Sequence, residues 1–230
     1  CIAVSQTADP TGAWYRYEIT YPDLPDYPKF GVWPDGYYVT YNMFDDILGF
    51  TGAKTCALDR SNMLAGLAAT QVCFDRAEEW SQLPSDADGS TPPPAGSPNY
   101  ILSEHWTDND KLTMYKFHVD WATPANSTYT GPISLPVAPY TGACWLGVDR
   151  GRCVPQPGTS QRLESLGGRT MFRLAYRNYG DHESLVTNHT VAMDGNVGLT
   201  SQTGVGWYAI RQPNAATPQV HQDGVTADPN

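Results

Sequence analysis

Three carboxylates lie where strand-forming runs turn or end, and carboxylates in such places could hydrolyse sugars. Asp35 falls in the Pro-Asp-Gly break of "GVWPDGYYVTYNMF", Glu104 closes the run in "ILSEHW", and Glu183 follows the turn in "GDHESL". Glycoside hydrolysis needs two carboxyl groups, about 5–5.5 Å apart for retention or about 6.5–9.5 Å apart for inversion. Asp35 paired with Glu104 or Glu183 is therefore a candidate catalytic pair.

Asp35 also has a purely structural interpretation. Pro fixes φ, Asp bonds its own backbone and Gly accepts a positive φ, so Pro-Asp-Gly between β-forming runs is a hairpin signal. This interpretation is favoured, and it predicts that "FGVW" pairs with "YYVT" in an antiparallel hairpin. Glu104 would then be an ordinary solvated edge residue.

The densest polar cluster of the sequence is "YRNYGDHESLVTNHT". An aspartate next to a histidine can orient an imidazole as a general base, which makes His182 a further catalytic candidate. No G-x-S-x-G or H-E-x-x-H motif accompanies it. The favoured interpretation is a hairpin turn from Tyr179 to His182 whose polar side chains connect neighbouring sheets.

A short acidic segment is the candidate metal site. "SDADGST" places Asp86, Asp88 and Ser90 at alternating positions, and hard oxygen ligands with this spacing suit Ca²⁺. The last glutamate of an EF-hand loop is absent, and a plain Asx turn explains the segment equally well. Ca²⁺ is the one cofactor that the sequence suggests.

Aromatic residues are the candidate ligand-binding surface. Aromatic faces in a concave site bind sugars, and Trp33, Tyr37 and Trp106 are the candidates. Sheets also bury aromatics where they pack together, so most of the 7 Trp and 14 Tyr residues should belong to the core.

The elements that must position these residues are short strands. Runs rich in Val, Ile, Thr, Tyr, Phe and Trp recur along the chain, mostly bounded by Gly, Pro, Asn or Asp. One helix is indicated within "LDRSNMLAGLAATQVCF", with Ser61 as its cap. Four strand-like segments resemble one another: "WYRYEI", "CALDR", "MYKFHV" and "WYAIR". The chain is therefore predicted to be all-β.

Repeated antiparallel strands point to a particular architecture. Several sheets of three or four strands arranged radially would give this pattern, which favours a β-propeller. We predict a single all-β domain over residues 1–230 that forms part of a larger propeller. A β-sandwich with long loops is the alternative.

Charge and hydropathy exclude two classes of partner. The net charge is −10, from 14 basic and 24 acidic residues, whereas nucleic acids and anionic membrane surfaces attract Lys and Arg. No apolar run approaches the roughly 20 residues that span a bilayer. We therefore expect neither a nucleic-acid partner nor membrane insertion.

The five cysteines favour an oxidising compartment. Cys144 and Cys153 enclose a Gly-rich loop that suits a local disulfide, and Cys56 with Cys73 could form a second. Metal-ligand spacing such as C-x-x-C is absent, which argues against zinc. Cys1 is then free or paired outside this chain. Together with the low lysine content, the cysteines indicate a secreted, extracellular or cell-surface protein.

Long phrases of the sequence carry a resemblance. Among them are "ADPTGAWYRYEITYPDLPDYPKFGVWPDGYYVTYNMF", "YKFHVDWATPANSTYTGP" and "CVPQPGTSQRLESLGGRTMFRLAYRNYGDHESLVTNHTV". They resemble a group of large exported proteins, mostly bacterial, that are uncharacterised and propeller-like. The resemblance covers nearly the whole chain and implies an internal portion of such a protein. It implies a fold and a compartment, but no reaction.

We expect an extracellular binding or scaffolding module, with a glycan as the candidate ligand and no catalysis by this chain. A propeller-type glycoside hydrolase and a structural subunit of an extracellular assembly are the alternatives. "PQVHQDGVTADPN" is expected to be a strand without a partner in this chain. The expected partners are therefore the remaining blades of the same precursor or copies of this chain, and polysaccharide.

Overall fold

The structure is a computed structural model that describes residues 1–47, 49–104, 108–144, 151–196 and 202–228. Strands dominate these residues, so the prediction of an all-β chain is confirmed. One short helix, α1, spans Arg60–Ala65, and a 3₁₀ turn spans Pro124–Asn126. No helix in the described ranges is long and apolar enough to cross a membrane.

Most strands belong to three four-stranded antiparallel meanders, each paired in chain order. The first meander consists of β3 (Leu24–Val32), β4 (Tyr37–Asp45), β5 (Gly49–Leu58) and β6 (Gln71–Arg76). The second consists of β7 (Leu83–Asp88), β8 (Asn99–Glu104), β9 (Lys111–His118) and β10 (Thr128–Pro136). The third consists of β13 (Leu174–Asn178), β14 (Glu183–Ala192), β15 (Thr203–Arg211) and β16 (Gln219–Thr226). Two separate hairpins are β1 (Ile2–Ser5) with β2 (Trp14–Tyr17), and β11 (Arg152–Gln156) with β12 (Thr159–Glu164).

The first strands of the three meanders lie side by side. β7 and β13 pair in parallel, which joins the second and third meanders into one eight-stranded sheet. β3 packs against β7, and Gly31 approaches the backbone of Ser85 so closely that a side chain there would collide with it. The backbone N–H of Val32 also donates to Asp86 Oδ1 at 2.9 Å.

The eight-stranded sheet curls until its two edge strands, β10 and β16, contact each other. One bond reinforces this closure, because Asp223 Oδ2 on β16 accepts the backbone N–H of Ala138, just beyond β10, at 2.8 Å. The meeting of these two edges is called the seam below.

The main core is shared by all three meanders. Trp33 from the first meander packs edge-to-face on Tyr100 of the second and Tyr176 of the third, with ring centroids 5.9 and 4.7 Å apart. Tyr38 packs in the same way on Phe117 at 5.2 Å. Such pairs contribute about 0.5–1.5 kcal/mol each beyond the burial of their area.

Two sequence-based expectations about elements are wrong. The helix is short and begins after Asp59, whose Oδ1 accepts the Asn62 N–H at 3.1 Å, so Ser61 is not the cap. Gly66 adopts the left-handed conformation that ends the helix, and Gln71–Arg76 then pairs with β5 as a strand. The segment at Gln219–Thr226 is not unpaired, because it forms an antiparallel ladder with β15.

The disulfide predictions are confirmed. Cys56 and Cys73 bond across the β5–β6 pair, and Cys144 bonds to Cys153. Cys1 is free and exposed. Two disulfides in one chain indicate an oxidising, extracellular environment.

Candidate functional site

Asp35 occupies the β3–β4 hairpin turn, as the favoured interpretation predicts. The Trp33 N–H donates to Gly36 O at 3.0 Å, and the runs on either side pair from Val32 with Tyr37 onward. The Asp35 carboxylate accepts a 3.2 Å bond from Tyr38 Oη. Burial raises the pKa of Asp35 above its ordinary value, and the Tyr38 bond opposes this shift.

The structure separates Asp35 from Glu104, the first of the two predicted carboxylate pairs. Glu104 lies against His189 of β14. Glu183 begins β14 six residues before His189, and six residues of a strand span about 20 Å. Glu183 instead accepts a 2.5 Å bond from Tyr176 Oη. Asp35 lies at the other end of β9 from Glu104, because its carbonyl accepts the indole N–H of Trp121 at 2.7 Å.

His182 lies in a hairpin turn closed by the Tyr179 N–H to His182 O bond of 2.9 Å. Its Nδ1 is 2.8 Å from Asp181 Oδ1, and its ring stacks on Tyr179 with centroids 4.8 Å apart. This hydrogen bond to His182 is also the main reason that the pKa of Asp181 is lowered. The side chain of Asp181 is 83% exposed, so this pair lies on the surface rather than in a site.

The acidic segment predicted to bind Ca²⁺ is engaged in ion pairs. Arg173 Nη1 lies 3.1 Å from Asp86 Oδ2, and Arg173 also pairs with Asp88, while Ser90 is exposed in the turn. Across the described residues, no three His, Cys, Asp or Glu side chains are grouped to hold a metal ion. The Arg173 guanidinium therefore neutralises the two carboxylates that were the candidate calcium ligands.

The predicted aromatic platform is dispersed. Trp33 is only 2% exposed and donates its indole N–H to Ser97 O at 3.1 Å, so its ring has no face free for a ligand. Tyr37 is partly buried in the core under the β1–β2 hairpin. Trp106 lies outside the described residues.

A buried polar chain joins the second meander to the third. Glu104 Oε2 lies 3.1 Å from His189 Nδ1, without the alignment of a good hydrogen bond, and His189 Nε2 lies 2.7 Å from Tyr208 Oη. Glu104 is 5% exposed, His189 is fully buried and Tyr208 is 3% exposed. Burial raises the pKa of Tyr208, with the charges of Glu104 and Asp223 adding to the shift, so its hydroxyl stays protonated.

This series of buried polar side chains ends, at Tyr208, in a cavity of about 320 Å³ on the seam. We call it the seam cavity. Its polar walls include Asn109, Tyr140, Tyr208 and Asp223, and its apolar walls include Pro139, Val191, Met193 and Val225. The Tyr140 hydroxyl is buried there and makes no hydrogen bond of good geometry, although it lies close to the Glu104 carboxylate. Burial, followed by the charge of Glu104, raises the pKa of Tyr140, so this hydroxyl is a permanent donor at neutral pH.

The seam cavity offers chemistry suited to binding rather than bond cleavage. It is lined by the Tyr140 hydroxyl, by the Asp223 carboxylate, one oxygen of which accepts the Ala138 N–H, and by apolar side chains, and the Tyr208 hydroxyl lies against the His189 imidazole. Sequence reasoning found Glu104 but not Tyr140 or Tyr208. The available signal was the alternation of β14, in which His189 occupies an inward position between Thr187 and Val191.

A second cleft, of about 530 Å³, lies between the first and second meanders and is called the Glu79 cleft. Glu79 is 7% exposed and accepts 2.7 Å bonds from Tyr115 Oη and Ser103 Oγ, one on each carboxylate oxygen. Arg76 lies over the Tyr129 ring, 4.8 Å from its centroid, and donates to Tyr129 O at 2.7 Å. The polar groups at the base of this cleft are therefore already partnered.

No family model matches the chain, and no curated protein or solved structure matches it either.

Proposed function

We propose that the chain is an extracellular binding module of the propeller type and that its ligand is a glycan. Three four-stranded meanders with their first strands side by side are the arrangement expected of successive propeller blades around an axis. The single curled sheet that joins two of the meanders supports the alternative, a sandwich-like fold, equally directly. Ligand binding at the seam cavity does not depend on this choice.

The Tyr140 hydroxyl at the seam cavity, which makes no well-aligned hydrogen bond within the protein, is the observation that carries the proposal. A buried donor without a partner costs about 1–3 kcal/mol, and a ligand acceptor would remove that cost. Sugars supply hydroxyl groups together with an apolar ring face, and the lining of the cavity includes Asp223 and Tyr140 as well as Val191 and Pro139.

The hydrolase alternative has weaker support, because Asp35 and Glu104 lie at opposite ends of β9 and the Glu183 carboxylate already accepts a bond from Tyr176. A scaffolding role is supported by the free edge of β6, which could pair with the remaining blades of the same precursor or with a second copy.

The test is a glycan array followed by calorimetric titration of the bound sugars, with two matched variants. Tyr140→Phe removes the hydroxyl at the cavity and is expected to weaken binding about tenfold or more. Tyr100→Phe removes another buried hydroxyl without a partner, but in the core between Trp33 and Tyr176, and should leave the affinity unchanged.

Two outcomes would contradict the proposal: no sugar bound by the wild-type chain, or equal losses in both variants. Incubating the bound glycan with the protein distinguishes a glycoside hydrolase from a binding module. New reducing ends that disappear in Glu104→Gln would show catalysis, whereas binding without cleavage supports the module.

A further inference from the structure

Two cationic side chains contact the ring of Tyr27. This ring lies toward the N-terminal end of β3. Lys29 Nζ lies 3.4 Å from the ring centroid, and Arg169 Cζ lies 4.8 Å from the same centroid. Arg169 also lies 5.3 Å from the ring of Trp80. Tyr27 and Lys29 belong to β3, Trp80 precedes β7, and Arg169 precedes β13. All three meanders therefore contribute to this group, which we call the Tyr27 cluster.

The two cations lack anionic partners in the described part of the chain. Neither Lys29 nor Arg169 has a carboxylate within 4.0 Å or a side-chain hydrogen bond there, and Arg169 Nε is buried without a partner. An ammonium carries three donors and a guanidinium five. Other cations of this acidic chain are paired, such as Lys54 with Asp75 and Lys111 with Asp108.

The backbone at the cluster is specialised. The β3–β4 ladder shifts register between Asp26 and Lys29, and Tyr27 adopts a φ of 54°, in the left-handed region. Bulges of this kind redirect side chains, and a non-glycine residue at positive φ is a strained conformation that is found preferentially at functional sites. At this bulge the Tyr27 ring contacts both Lys29 and Arg169, which brings two like charges to one ring.

We propose that Lys29 and Arg169 form a binding site for one carboxylate or sulfate group of an acidic glycan. An anion there would pair with both cations at once, the planar guanidinium binding two of its oxygens and the ammonium acting as a point charge. The glycan nature of the ligand rests on the function proposed above. The anion site itself rests only on the Tyr27 cluster, which lies apart from the seam cavity.

The experiment measures binding of the intact chain to three immobilised polymers: polygalacturonate (carboxylates), dextran sulfate (sulfates) and dextran (neutral). Lys29→Gln and Arg169→Gln should each weaken binding to the acidic polymers about tenfold, the contribution of one charge-assisted hydrogen bond. Lys54→Gln removes the same charge from a position where the lysine is already paired with Asp75 and is the matched control, with an expected change of less than about twofold.

A preference for one acidic polymer identifies the group that the site takes. No binding of either acidic polymer, or an equal loss in Lys54→Gln, would overturn the anion site and leave only the general electrostatics of the surface. If Arg169→Gln lowers the melting temperature, Lys29→Gln alone decides, since its side chain does not contact Trp80. Tyr140→Phe should not change binding to the acidic polymers, so a failure here is distinguishable from a failure at the seam cavity.

Discussion

Glu79 and Glu104 are two buried glutamates in similar positions but with different surroundings. Both lie where one meander meets another, and both are more than nine-tenths buried. Glu79 has a hydroxyl donor on each oxygen, from Tyr115 and Ser103. Glu104 faces one poorly aligned imidazole, His189, and lies near a tyrosine hydroxyl without a partner. The first is a completed contact between meanders, whereas the second leaves bonding capacity beside a cavity.

One strand produces both environments. Ser103 and Glu104 are adjacent in β8, so their side chains point to opposite faces of the sheet. The Ser103 face meets Glu79 in the β6–β7 connection, and the Glu104 face meets His189 of the third meander. Neighbouring residues therefore serve a structural joint on one face and a candidate binding site on the other.

The largest expected effect is at the completed joint. Glu79→Ala should lower the free energy of unfolding by about 3 kcal/mol, because two buried hydroxyl donors lose their acceptor at once. Denaturant unfolding measures the change, and Glu78→Ala, at the exposed neighbouring position, is the control with an expected change below about 0.5 kcal/mol. Equal effects of the two substitutions would show that the Glu79 contacts do not stabilise the joint.

Two tyrosine hydroxyls test the same comparison with a single atom each. Tyr115→Phe removes a donor bonded to Glu79 and should cost about 1.5 kcal/mol of unfolding free energy. Tyr140→Phe removes a donor without a partner and should change stability by less than about 0.5 kcal/mol, or increase it slightly. Thermal and denaturant unfolding of the two variants measure both. A larger loss in Tyr140→Phe would mean that its hydroxyl already has a partner in the free protein.

The sequence predicted the parts of this molecule that depend on local chemistry. Pro34-Asp35-Gly36 predicted the β3–β4 hairpin because turn geometry is set by adjacent residues. Three of the four similar segments overlap the C-terminal ends of β5, β9 and β15, the third strands of the three meanders. The recurrence of these segments in the sequence therefore corresponds to the repeat of the three meanders.

The contacts of the candidate site could not be predicted in this way. Glu104 meets His189 only because β7 and β13 pair in parallel, and that pairing has no local signal. The carboxylates were placed correctly at strand ends and turns, but which ends meet depends on the order of the strands. The pairing of Arg173 with Asp86 and Asp88 is a second contact that the sequence could not predict. It makes an ion-paired cluster of a segment whose sequence resembles a metal-binding loop.

The smallest expected effect concerns Asp35, a partly buried carboxylate that extends the comparison. Burial raises the pKa of its folded state, so the protonated form is favoured on folding. This contribution to stability is fully present below the ordinary pKa of an aspartate, about 3.9, and is lost as the pH rises through the raised folded pKa. At neutral pH the ionised carboxylate therefore opposes folding.

Asp35→Asn keeps an acceptor for the Tyr38 hydroxyl and removes the charge. It should therefore stabilise the chain by about 0.5 kcal/mol at pH 7, allowing for solvent screening, and by nothing measurable at pH 3. Denaturant unfolding of both proteins at the two pH values measures this difference. A destabilised Asn variant at pH 7 would show that the negative charge of Asp35 is needed in the turn and that the bond from Tyr38 outweighs the cost of burial.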